Sequence, residues 1–179
     1  MDAYKIWMVS DKSEEKFLRK KAVDFSFKDH AKKEITELVA RMKKAMILAN
    51  GIGLSANQIG LEHKVFVALV PQAQGPAKFY AVFNPKLEKT GDEEVSFEEG
   101  CLSVPGVYGD VDRPERITVT GLDKNGKALK FKVWGLTARV FQHEIDHLNG
   151  KLFIDKARQV HTVAESPRLQ EREKKLAEN

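Results

Sequence analysis

The chain has 179 residues, 42% of them hydrophobic, one cysteine, and a formal net charge of +4 with a pI near 9.0. This length fits one domain with a real core, the apolar fraction excludes a disordered chain, and no apolar run reaches the roughly 18 to 20 residues of a membrane-spanning helix. The lone Cys101 excludes an intrachain disulfide, and the mild positive charge permits contact with RNA or acidic surfaces without establishing it.

Residues 1–27 are mixed and charged, with Ile6, Trp7 and Met8 as a compact apolar cluster and Phe17, Leu18, Phe25 and Phe27 as anchors. They read as a peripheral N-terminal segment with no signal-peptide core, which points to the cytoplasm. Lys28 to Asn50 reads as a helix, because Ile35, Leu38, Val39, Met42, Met46 and Ala49 recur at helical spacing. Met42 and Met46 read as plain core packing. Gly51 stands where a left-handed C-cap belongs. The small residues around Ile52 and Leu54, from Gly51 to Ala56, predict a loop that another backbone approaches closely, or simply a helix exit.

Lys64–Val70 and Lys78–Phe83 are β-branched and aromatic and read as strands, joined by the loop Gln72–Pro76. Asn84-Pro85 is expected to end the second, and Lys86 to Phe97 reads as another strand broken near Thr90-Gly91. In the stretch from Glu98 to Gly106, Cys101 follows a glycine and precedes a Pro-Gly turn. Arg116 to Leu122 and Ala128 to Trp134 alternate around Asp123-Lys124-Asn125-Gly126, a hairpin signal. A helix follows Trp134-Gly135 and stops at Asn149-Gly150. Residues 156–179 are highly charged, contain Pro167 and read as a solvated tail. Without repeats or a domain boundary, residues 1–179 read as a single domain. The expected class is α+β, with mainly antiparallel sheets packed around the helix that carries His143.

That helix holds Gln142-His143-Glu144-Ile145-Asp146-His147. Four residues apart, His143 and His147 project from one face, one turn apart, which is the spacing of two nitrogen ligands to one small cation. Glu144 can then reach a water on the same metal. The plainer alternative is a chance match on a solvated helix. Against it, Leu136, Val140, His143 and His147 share one face, while Phe141, Ile145 and Leu148 form a second. Arg139, Gln142, Asp146 and Asn149 leave only a narrow polar strip, so the helix is expected to be buried on most sides. A catalytic metal site needs about three protein ligands and an open position. Cys101 is the obvious third ligand, since thiolates suit borderline metals. The alternative for it is a buried small hydrophobe.

Three stretches carry a resemblance: Gly51–Gln58, Glu99–Ser103 and His143–His147. They are similar, in order and separation, to the three motifs of the peptide deformylases, Gly-x-Gly-x-Ala-Ala-x-Gln, Glu-Gly-Cys-Leu-Ser and His-Glu-x-Asp-His. The resemblance extends from about Lys28 to Asp155. It departs at Ser55, where the family usually has alanine and where one added hydroxyl is expected to matter little, and in the N-terminal segment, which lacks a proline.

The resemblance implies a hydrolase that removes the formyl group from the initiator methionine of nascent polypeptides. Cys101, His143 and His147 would hold one divalent metal ion, Fe²⁺ in the cell, with Zn²⁺, Ni²⁺ or Co²⁺ in purified samples. Glu144 would pass a proton from the attacking water to the leaving amine, while the Gln58 side chain and the Leu102 backbone N–H would donate to the formyl oxygen. Gly51, Ile52, Gly53 and Gly100 would line an extended peptide, with Val140, Ile52 and the stem of Arg139 around the methionine side chain. Glu99 is the candidate to orient a ligand histidine, and Asp146 would pair with Arg113. The substrate implies neither membrane nor DNA as partner, and the basic tail suggests weak ribosome contact. Two other classes stay open: a zinc endopeptidase, for which only His161 lies further along the chain, and a homologue that binds metal without catalysis, for which Glu144 and Gln58 would be unnecessary.

Overall fold

A computed structural model describes residues 5–165 and residue 171. The elements in chain order are α1 (Lys12–Leu18), α2 (Lys32–Leu48), β1 (Gly53–Ser55), β2 (Val65–Val70), β3 (Lys78–Thr90) and β4 (Glu94–Cys101). There follow β5 (Val104–Pro114), β6 (Arg116–Leu122), β7 (Ala128–Trp134), α3 (Gly135–Leu148) and β8 (Val160–Thr162). The strands form a five-stranded sheet, β1-β2-β3-β6-β7, and a three-stranded sheet, β4-β5-β8. Every named strand pair is antiparallel. The class is the expected α+β.

β2 explains why its sequence reads as uniformly apolar. Side chains alternate across a strand, and here both faces are covered. Val65 and Val67 meet Ile35, Val39, Met42 and Met46 of α2. Phe66, Ala68 and Val70 meet Ala138, Val140, Phe141, Ile145 and Leu148 of α3. Both methionines are fully buried, as core packing requires. A third small cluster of Val104, Val111, Leu152 and Phe153 closes the β4-β5-β8 side.

Several boundaries differ from the sequence reading, each for a local reason. α2 begins at Lys32, four residues late, because Phe27–Asp29 makes a separate 3-10 turn. Its end turns left-handed at Asn50, with φ 54°, instead of at Gly51. The N–H of Asn50 reaches the Ile47 carbonyl at 3.0 Å and that of Gly51 the Met46 carbonyl at 2.9 Å. This is a complete Schellman stop with asparagine in the glycine position. β3 does not end at Asn84-Pro85 but continues to Thr90. Asn84, at φ 49°, sits where the pairing with β6 shifts register, a bulge that also accommodates the missing proline N–H. The Asn84 side chain binds both backbone groups of Phe25, at 2.7 and 3.0 Å.

The chain ends are also more engaged than their composition suggests. In the N-terminal segment, Trp7 N–H donates to the Gln58 carbonyl at 2.7 Å and Val9 N–H to the Ser103 carbonyl at 2.9 Å. This ties the segment to both loops that precede the candidate site. Residues 156–165 are not a frayed tail: Val160–Thr162 pairs with β5, Lys156 with Asp146, and Arg158 with Asp112. The remainder of the tail lies outside the described residues, apart from residue 171. No described helix is long and apolar enough to cross a membrane.

Candidate metal centre and active site

The centre sits where the two sheets meet. α3 packs on the five-stranded sheet and presents His143 and His147 on one face, ring centroids 4.9 Å apart. Cys101 comes from the other sheet, at the end of β4 where the chain turns through Leu102 and Ser103 into β5. Its Sγ lies 3.1 Å from His147 Nε2. The ligand atoms of these three residues lie within 4.8 Å of one another, the only such group among the described residues.

Glu99 orients this centre from behind. Its Oε2 lies 3.0 Å from His143 Nδ1. Arg113 grips the same carboxylate twice, at 2.5 and 2.9 Å, and Arg139 adds a third contact at 2.7 Å. Burial pushes the Glu99 carboxyl up, but hydrogen bonds and charge from Arg113 and His143 outweigh it and hold the group well below the usual carboxylate range. With Nδ1–H donated to an ionised carboxylate, Nε2 is left as the nitrogen that would serve a cation once its proton is displaced. Arg113 also donates to Asp146 at 2.7 Å, the pair suggested by the resemblance. Most of the polar strip of α3 is therefore engaged by partners: Gln142 is buried, donating to the Pro114 and Ala138 carbonyls, and Asn149 alone is exposed.

The donor chemistry fits a divalent cation. Burial pushes the Cys101 thiol up, yet the charge of His147 and hydrogen bonds from both histidines lower its pKa to about 5, so sulfur is present as thiolate at neutral pH. Burial lowers His143, but the thiolate and Glu99 raise it to about 10. Two anions thus hold a proton that a cation would displace.

Glu144 is 3% exposed, and burial leads the factors that raise its pKa above the ordinary value, against both histidines and a hydrogen bond from Ser55. Gln58 is not a surface amide. It is buried, its Oε1 accepts from Ser55 N–H at 2.9 Å, and its Nε2 points at Ser103 Oγ, 3.2 Å away, and at Cys101 Sγ, 3.6 Å away.

A cavity of about 620 Å³ opens onto these groups, lined among others by Gly51, Ile52, Gly53, Gly100, Leu102 and Val140. Gln58, Glu99, Cys101, His143 and Glu144 also line it, whereas His147 lies behind the wall, 1% exposed. The two glycines are needed for side chains, not for a second backbone. A Cβ on Gly51 would lie 2.7 Å from Leu102 Cδ1, and one on Gly53 would lie 2.2 Å from Glu144 Oε1. Arg139 lines the cleft, and its guanidinium turns to Glu99, to the Val95 and Val111 carbonyls and over the Phe97 ring. Sequence reading missed Ile6 and Met8, which also line the cleft, and the contact between Ser55 and Glu144.

The chain is 46% identical over 122 residues to "Peptide deformylase 1" of Pseudomonas syringae pv. tomato, covering 68% of this chain and 71% of that protein. It is 40% identical over 159 residues to "Peptide deformylase" of Picosynechococcus sp., covering 88% and 82%. The crystal structure of a probable peptide deformylase from Synechococcus phage S-SSM7 superposes with a TM-score of 0.77 at 42% identity, over 86% of this chain and 99% of that one. The family model described as Polypeptide deformylase matches residues 4–163, a span that takes in the cysteine turn, the histidine helix and the glutamine loop together, and the chain belongs to that family.

Proposed function

We propose that this chain removes the N-formyl group from the initiator methionine of new polypeptides, with Cys101, His143 and His147 holding one divalent metal ion. The observation that carries the reading is the buried Glu144 carboxylate beside a Cys-His-His donor group at the wall of an open cleft. A divalent cation held there acts as a Lewis acid and brings the pKa of a water down from about 15.7 toward neutrality. Glu144 takes the proton of the attacking water and gives it to the amide nitrogen as the C–O bond forms and the C–N bond breaks. Formate and a free amine leave. The Gln58 amide and the Leu102 backbone N–H donate to the formyl oxygen as charge develops on it, where one such donor is typically worth about 10² to 10³ in rate. Gly51, Ile52, Gly53 and Gly100 border an extended peptide in the manner of an added strand. Val140 and Ile52 flank its methionine.

The test is formate release from an N-formylmethionyl peptide, run beside an unformylated peptide. Formate without backbone cleavage is expected; cleavage of the unformylated peptide would favour an endopeptidase. That alternative has lost its ligand, since His161 pairs opposite Tyr108 in β8 and stands outside the metal-capable group. Retention of both Glu144 and Gln58 speaks for catalysis over mere metal storage.

Kinship with the deformylases points to Fe²⁺ as the metal in the cell; the sulfur-and-two-nitrogen set with an open position by itself suits zinc, nickel or cobalt as well. Elemental analysis of anaerobically prepared protein, paired with its rate, tests this. The working compartment is the cytoplasm, where nascent chains arise. Weak ribosome contact falls to residues 166–179, which hold Arg168, Arg172, Lys174 and Lys175 outside the described residues, because Lys156 and Arg158 are held in ion pairs. Salt-sensitive cosedimentation that survives deletion of 166–179 would remove this idea.

A further inference from the structure

β1 is only three residues long, yet two of them touch one carboxylate. Residues two apart in a strand share a face, so Gly53 and Ser55 both look toward α3 while Leu54 packs into the core under α2. Gly53 leaves the room that Glu144 Oε1 occupies. Ser55 is fully buried, and its Oγ lies 2.7 Å from Glu144 Oε2 and 2.9 Å from the Glu144 main-chain carbonyl. A hydroxyl has one proton to donate, and both of its acceptors here belong to residue 144. The hydroxyl therefore stays at Glu144 whichever acceptor takes the proton, and the bond to the carboxylate is the shorter, charge-assisted one. From the same residue, the Ser55 N–H donates to Gln58 Oε1 at 2.9 Å. That fixes which end of the Gln58 amide faces Cys101.

We propose that Ser55 is a positioning residue for deformylation: its hydroxyl pins Glu144 Oε2, leaving Oε1 as the oxygen that moves the proton, while its backbone N–H orients the Gln58 amide. The added hydroxyl is thus part of the working geometry, not a neutral replacement for a methyl group. The inference rests on Glu144 being the proton carrier. It does not depend on the identity of the metal.

Four proteins test it: wild type, Ser55→Ala, Glu144→Gln and the double variant, all with an N-formylmethionyl peptide. Ser55→Ala only removes an atom, so the fold and the Cys-His-His donors are retained and metal content is expected to match wild type. Loss of one hydrogen bond to a charged group predicts a fall in kcat of about 10-fold with KM within about twofold. In the Glu144→Gln background the same substitution is expected to change kcat less than about twofold, because there is no proton-moving carboxylate left to orient. A second readout needs no metal. In the metal-free protein labelled with ¹³C at glutamate Cδ, the resonance that disappears in Glu144→Gln is expected to move in Ser55→Ala.

Wild-type kcat in Ser55→Ala overturns the proposal. So does a fall of equal size in both backgrounds, or an unmoved Cδ resonance, either of which would make the hydroxyl a simple helix–strand tie. If Glu144→Gln itself turns over normally, the reading of Glu144 fails and this inference falls with it. A crippled Glu144→Gln beside a normal Ser55→Ala sinks this inference alone.

Discussion

Residues at this centre divide by what they touch. Glu144 borders the cleft next to His143 but is not one of the three clustered donors. Glu144→Gln should therefore keep metal content near normal and lower deformylation by roughly 10² or more, the scale of lost acid–base catalysis. Near-wild-type turnover with full metal occupancy would assign the proton to another group. Cys101 makes the opposite prediction. Its thiolate exists at neutral pH because two imidazoles offset its burial, and a serine hydroxyl there would remain protonated and bind poorly. Cys101→Ser should lose metal, and activity with it, as read by mass spectrometry beside formate release. Full occupancy at a normal rate would mean that the third ligand lies elsewhere. The pattern i, i+4 on α3 was legible because helix geometry alone puts His143 and His147 together. The roles of Ser55 and Arg139 were not, because each depends on a partner from a distant element: Glu144, 89 residues on from Ser55, and Glu99, 40 residues back from Arg139.

Elements were readable where local chemistry decides them and misread where tertiary contacts do. The β6–β7 hairpin forms around Asp123, whose carboxylate accepts from Asn125 and Lys127 N–H at 2.8 Å each, all within five residues. β3 runs through Asn84-Pro85 only because β6 tolerates a bulge there and Phe25 engages the asparagine. β8, Val-His-Thr within the charged stretch that follows α3, forms because β5 offers it an edge. The joint between α1 and the turn after α3 is also tertiary. Arg19 donates to Asp155 at 2.5 Å, and Asp155 accepts from Leu152 N–H at 2.8 Å. Burial raises the Asp155 carboxyl, but these two contacts prevail and lower its pKa below 3.8. A carboxyl lowered on folding stabilises the protein above its unfolded pKa and loses that contribution as pH falls through its folded one. Asp155→Asn is thus expected to be less stable than wild type at pH 7 by about 0.5 kcal/mol, a small figure because the pair is partly solvated. The gap should close below about pH 3.8. Urea midpoints of the two proteins at both pH values check it, and a gap that widens in acid would refute the pairing.

At the scale of the molecule, the centre joins two halves that also meet through packing, hydrogen bonds and buried ion pairs. Cys101 ends a strand of the three-stranded sheet, whereas both histidines stand on the helix packed on the five-stranded sheet. The arginine–glutamate cluster crosses the same seam, from Arg113 on β5 and Glu99 on β4 to His143 and Arg139 on α3. Without a cation, this seam holds a thiolate compensated by the two imidazoles, His147 first, and an ionised Glu99 compensated by Arg113 and then His143. A metal bound to the folded protein alone adds RT ln(1 + [M]/Kd), about 2.7 kcal/mol when free metal is 100 times Kd. For a chain of this size each kcal/mol moves Tm by roughly 2 to 4 °C, so full removal by a chelator is expected to lower Tm by about 5 to 10 °C. The loss should be cooperative and shared by both sheets, because the ligands come from both. Cys101→Ser, with one side of the link gone, should already melt low and respond little to the chelator. Hydrogen exchange would separate the alternatives. Loss of protection in β4 and β5 together with α3 fits a link across the seam, whereas loss confined to the turn at Leu102 and Ser103 would mean that the metal orders only its own loop.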